Sequence, residues 1–157
     1  MARYYIAYGS NLNVPQMRRR CPSATILGTA NLKGWRLGFR GSKTGSYLTI
    51  EEDETESVPV VIWEVQPSDE ASLDIYEGFP DFYYKKDFKI QCKGIRTKTR
   101  KTIDAFAYIM HENRPHGVPS TWYVQTCLAG YDAFYFDRNI LLKAVHDAPE
   151  YMKEDLK

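Results

Sequence analysis

Apolar and polar positions along the chain change period several times, and each change is marked by Gly, Pro or a capping residue. Tyr4 to Tyr8 is aromatic and aliphatic enough for a first strand, which Gly9-Ser10-Asn11 breaks. A short helix is expected next, with Asn13 as its N-cap, Pro15 in the first turn and Pro22 as its stop. Short apolar or alternating segments then predict strands over Thr25 to Leu32, Trp35 to Phe39, Tyr47 to Glu51 and Val58 to Val65. Pro67-Ser68-Asp69-Glu70, with Ser68 as cap and two acids in the first turn, opens a helix near Asp69 to Glu77 that Gly78 and Pro80 close. Phe88, Ile90 and Cys92 alternate with polar residues, and Ile103, Ala105, Ala107 and Ile109 alternate in the same way, which predicts a hairpin of two longer strands. Pro119-Ser120 opens a helix to about Tyr131, and a last helix near Arg138 to Val145 precedes a charged tail from about residue 147.

Strands in runs with helices between them argue for an α+β fold whose mixed or antiparallel sheet curls into a compact β-barrel with flanking helices. No repeat or low-complexity linker divides the 157 residues, so a single domain over 1–157 is expected. Two charge runs, Glu51 to Glu56 with five acids and Lys93 to Lys101 with five bases, read as solvated loops.

Composition narrows the function classes. Lys and Arg number 21 against 20 Asp and Glu, so a nucleic-acid partner is not expected, even with the run Arg18 to Arg20. The longest strongly apolar stretch, Val58 to Trp63, contains Pro59 and falls far short of the roughly 20 residues of a membrane-spanning helix. With no signal-peptide pattern at the start, a cytoplasmic protein is expected. Cys21, Cys92 and Cys127 form no C-x-x-C pair, and His111, His116 and His146 have no metal-ligand spacing, so no metal site and no cofactor is expected. The 22 aromatic residues, twelve of them Tyr, suit a pocket wall and leave homodimerisation through an aromatic patch open.

Two places could carry chemistry. In Tyr8-Gly9-Ser10-Asn11-Leu12 a strand hands over to a helical turn, where successive N–H groups form a concavity for a carbonyl or carboxylate oxygen; the same residues also make an ordinary turn. Glu77 is the last residue expected in its helix, at the negative end of the helix dipole, which should raise its pKa. Partial burial beside Tyr76 and Phe79 would act in the same direction and would suit general acid/base work near neutral pH. Leu73 and Tyr76 would draw Glu77 onto one helix face while Ala71 and Ile75 mark another, so periodicity leaves its direction open.

Ile6 to Leu12, Leu73-Asp74-x-x-Glu77-Gly78, Tyr84 seven residues beyond Glu77, and Pro119-Ser120-x-x-Tyr123 stand in one order and spacing. Together they resemble the γ-glutamylcyclotransferase-like superfamily, which includes the AIG2-like proteins, over about Tyr4 to Val145. The resemblance implies a mixed-strand barrel and a cavity in which a γ-glutamyl amino acid or amine is cyclised to 5-oxoproline with release of the amino acid or amine. It assigns Glu77 as the catalytic carboxylate, Tyr8, Gly9, Ser10, Asn11 and Leu12 as the substrate-holding loop, and Tyr84 and Tyr123 as pocket tyrosines. The chain departs from the family pattern at Val60, where many relatives carry Gly, and at the bulkier stretch Gly45 to Thr49. A protein that holds a small metabolite in the same cavity without turning it over is the alternative.

Overall fold

The computed structural model describes residues 1–42 and 44–157. Ten elements follow in chain order: β1 (Arg3–Ala7), a 3₁₀ turn (Ser10–Leu12), α1 (Val14–Arg20), β2 (Thr25–Ser42), β3 (Gly45–Val65), α2 (Pro67–Glu77), β4 (Tyr83–Gly94), β5 (Arg100–Met110), α3 (Thr121–Ala133) and α4 (Arg138–Asp155). The strands close a barrel in the order β1-β3-β2-β4-β5, with β1 parallel to β5 at Tyr5–Phe106 and every other pairing antiparallel. This is the expected α+β mixed barrel with flanking helices.

The strands are longer than the pattern predicts. Thr25 to Ser42 is one strand, because the break at Lys33-Gly34 is a β-bulge that bends β2 without ending it. The acidic run Glu51 to Glu56 is not a loop but part of β3, paired through Glu51 and Glu52 with Arg36 and Trp35. Its charges are tolerated there because Glu51, partly buried, is neutralised by Arg36 and Arg40 at 3.3 Å each. Further along β3, Val58 to Trp63 is buried on both faces, since the helices cover the side that the barrel core does not. The basic run is a turn for most of its length, flanked by the ends of β4 and β5.

The helix ends also differ in detail. The cap of α2 is Gln66 with Asp69 in a reciprocal capping box, and Ser68 lies inside the helix. Asn13 caps α1 and Ser120 caps α3, as expected. Gly78 ends α2 with φ 63°, a conformation that a side chain would strain, and this fixes Glu77 as the last helical residue. The charged tail is helical: α4 continues through Pro149 to Asp155. Tyr151 accepts a hydrogen bond from Arg36 and stacks on His116 at 5.3 Å, and Asp155 accepts from the His116 amide at 2.6 Å. These contacts on β2 and the loop before α3 hold a segment whose charge alone suggested solvent. Among the described residues no helix is long and apolar enough to cross a membrane.

Candidate active site

The 3₁₀ turn after β1 is pressed onto the barrel by α3. At their contact a Cβ on Gly130 would lie 2.4 Å from Leu12 Cβ, so only glycine allows this approach. The Leu12 side chain is spent in that packing and is fully buried. Tyr8, Gly9, Ser10 and Asn11, by contrast, line a cavity of about 380 Å³ that Tyr76, Glu77 and Gly78 at the end of α2 also line. The amides of Gly9, Ser10 and Asn11 open the turn, and they have no acceptor among the described residues. They are left unspent, on residues that line the cavity.

Seven tyrosines stand in the wall, and the hydroxyls of six are tied back. Tyr8 donates to the Tyr108 carbonyl at 2.6 Å, and Tyr108 donates to Asp74 Oδ1 at 2.6 Å. One residue of β3 holds two rings through its backbone: the Leu48 amide donates to the Tyr123 hydroxyl at 3.2 Å, and the Leu48 carbonyl accepts from Tyr83 at 2.9 Å. Ser10 and Tyr76 join their hydroxyls at 2.8 Å, and Asn11 Nδ2 donates to Tyr5 at 2.9 Å. Burial raises the hydroxyl pKa of Tyr5, Tyr8, Tyr83 and Tyr123, so these groups stay neutral donors and acceptors.

Glu77 is the one carboxyl on this wall. Burial among the rings pushes its pKa up to about 8, and the positive charge of Arg20 pulls against that rise. A carboxyl that loses its proton near pH 8 can take and return protons under neutral conditions. Among the described residues no three His, Cys, Asp or Glu side chains are grouped to hold a metal ion.

The structure therefore brings Tyr8, Gly9, Ser10, Asn11, Glu77 and Tyr123 around one cavity, with Leu12 behind it. Tyr84 is elsewhere. Neighbouring strand residues face opposite ways, so Tyr83 enters the pocket while Tyr84 turns out to donate to Glu112 at 2.6 Å and pack on His111 at 5.1 Å. Tyr5, Tyr47, Tyr76, Tyr83 and Tyr108 are lining residues that the motifs do not mark. The bulkier stretch at Gly45 to Thr49 places Tyr47 and Leu48 in the wall.

Comparison with known proteins identifies the family and the fold. The family described as gamma-glutamyl cyclotransferase, AIG2-like matches residues 5–125. A gamma-glutamylcyclotransferase of Homo sapiens is 33% identical over 135 residues, covering 80% of this chain and 68% of the relative, and that of Mus musculus is 31% identical over the same shares. Among solved structures, a gamma-glutamyl cyclotransferase superposes with a TM-score of 0.78 at 27% identity, over 92% of this chain and 86% of the other. An uncharacterized protein of Homo sapiens superposes at 0.74 with 26% identity, over 91% and 86%. On this evidence the chain belongs to the gamma-glutamyl cyclotransferase, AIG2-like family, and it is an enzyme of that kind.

Proposed function

We propose that this enzyme, acting as one cytoplasmic domain, cyclises γ-glutamyl amino acids or amines to 5-oxoproline and releases the amino acid or amine, with Glu77 as general acid/base. The observation that carries the proposal is the pairing of a carboxyl whose pKa is about 8 with three unspent backbone amides across a cavity sized for a small molecule.

The substrate's α-nitrogen is already tethered to its γ-carbonyl, so forming the five-membered lactam needs orientation more than collision. Effective molarities for such attack reach about 10⁵ M or more. The obstacle is the proton on the α-ammonium. Ionised Glu77 accepts that proton as the nitrogen bonds to the γ-carbon, and the carbonyl electrons move onto oxygen. The amides of Gly9, Ser10 and Asn11 are placed to meet either that oxygen or the α-carboxylate. As the oxygen electrons return, the bond from the γ-carbon to the departing nitrogen breaks, Glu77 gives its proton to that nitrogen, and the second proton of the ring nitrogen passes through the same carboxylate to the released amine, which leaves as its ammonium form beside a neutral lactam. Losing one such amide donor typically costs about 10²–10³ in kcat. Tyr8, Tyr83 and Tyr123 pack the substrate's methylene groups and hold its reacting atoms together.

Release of 5-oxoproline from a panel of γ-glutamyl amino acids, amines and glutathione tests the proposal. Product is expected from the wild type and not from Glu77→Gln. Binding of panel members with no product from either protein would turn the assignment to a metabolite-holding role. Near wild-type turnover by Glu77→Gln would remove Glu77 from the mechanism.

A further inference from the structure

Arg20 ends α1 and closes a run of three arginines. Its side chain turns back toward the cavity. The guanidinium donates through Nη1 to Asn11 Oδ1, lies 3.5 Å from the centroid of the Tyr76 ring, and reaches Gln16 Oε1 at 3.5 Å. All three partners are neutral, so the positive charge is not spent in an ion pair with any of them. Two of them line the cavity from different elements: Asn11 belongs to the turn that carries the free amides, and Tyr76 immediately precedes Glu77.

Resting on the function proposed above, we propose that Arg20 is a positioning residue for the reaction: it clamps the 3₁₀ turn to the end of α2 and holds a permanent positive charge toward Glu77. Two effects follow from one group. The hydrogen bond to Asn11, continued by Asn11 to Tyr5, fixes the turn so that its amides keep their aim. The charge favours the ionised form of the Glu77 carboxyl against burial, keeping a larger share ready to accept a proton.

The surroundings of Glu77 single out Arg20 for this role. Tyr5 from β1, Tyr8 just after it, Tyr76 from α2, Tyr83 from β4, Tyr108 from β5 and Tyr123 from α3 all stand near enough for its charge to act on their hydroxyls, and burial keeps each of them protonated. Tyr47 from β3 lines the same cavity. Asp74, one turn earlier on α2, is taken up by Lys85 at 2.8 Å and by Tyr108. Arg20 from α1 is the cation that acts on Glu77 among the described residues.

The test compares Arg20→Gln, which keeps an amide donor for Asn11 and loses the charge, with Arg20→Lys, which keeps the charge and loses the planar stack and fork. The pH dependence of kcat/KM for 5-oxoproline release is measured for each, and the Glu77 carboxyl is titrated directly by ¹³C NMR in the same proteins. For Arg20→Gln, the acid limb and the NMR titration should both move about half to one pH unit upward, lowering kcat/KM at pH 7 about three- to tenfold. Arg20→Lys should keep the wild-type limb and titration while losing rate at every pH, because Asn11 is held less firmly.

Coincident Glu77 titrations in Arg20→Gln and wild type would overturn the electrostatic role. Should Arg20→Gln fail to fold, Arg20→Lys still decides: a titration that moves although the charge remains would overturn it too. An unchanged Arg20→Lys rate would overturn the clamp. If no γ-glutamyl compound turns over in the wild type, the proposed function falls while the NMR titration continues to judge the charge of Arg20.

Discussion

Replacing Glu77 with Gln should make the folded protein more stable as well as inactive. A carboxyl with a folded pKa of about 8 against an ordinary 4.5 is a group that the fold holds protonated over a range in which the unfolded chain lets the proton go. The folded state binds more protons than the unfolded state across that interval, so stability falls as pH rises, by up to about 1.4 kcal/mol per pH unit. The loss begins near pH 4.5 and is complete above pH 8. At pH 7 it amounts to at most about 3 kcal/mol, reduced by whatever contact the carboxyl keeps with solvent through the cavity mouth. Gln has a similar shape and no charge, so the variant escapes this cost. For a chain of this size the gain corresponds to a Tm higher by roughly 6–12 °C at the upper limit. Urea unfolding of both proteins from pH 4 to pH 9 measures it. The two curves should meet near pH 4, separate through pH 5 to 8 and then run parallel. Equal stability of wild type and variant at pH 8 would refute the claim that burial raises this carboxyl.

Other substitutions probe the frame around the site. Tyr123→Phe leaves the buried Leu48 amide without its acceptor, which should cost about 1–3 kcal/mol in urea unfolding and raise KM more than it lowers kcat. Unchanged stability would mean that the amide finds another partner. Lys85 bridges Glu70 at 2.6 Å and Asp74 at 2.8 Å on successive turns of α2, while Arg3 also holds Glu70. Lys85→Met should therefore destabilise by about 1–3 kcal/mol, below the full cost of a broken buried pair, and a salt titration should show little dependence. Gly130→Ala would put a methyl within 2.4–2.7 Å of Leu12 atoms. It should lower the Tm and cut turnover by displacing the turn, and a variant within about 0.5 kcal/mol of wild type would show that α3 can move away freely.

Much of this was readable in the chain. Asn13, Ser120 and Gly78 are local signals, and each marks a helix boundary where the structure has one. Glu77 could be located at a helix end, but its direction could not, because residues on two sides of α2 are apolar and tertiary contact decides which side meets the barrel. Tyr84 stands on the face of β4 that Phe88, Ile90 and Cys92 share, and the cavity lies against the other face. Alternation separates the two faces without saying which one a pocket will use. Glu51 was misjudged, and the role of Arg20 was missed, for a common reason. A run of like charge says nothing of its partners, and Arg36 and Arg40 are brought to Glu51 by the pairing of β2 with β3, and Tyr76 to Arg20 by the packing of α2.

The backbone of Leu48 has a bearing on redesign. Its amide and its carbonyl hold rings from α3 and β4, so the spacing of two opposing walls is governed by a backbone unit that side-chain replacement does not touch. Trimming Tyr83 or Tyr123 to admit a larger leaving amine would free that unit and let both walls shift at once. Tyr47 and Ile75 are partly exposed at the cavity and carry no such duty, so a change of substrate size is better sought there, where the aperture can widen while its gauge stays fixed.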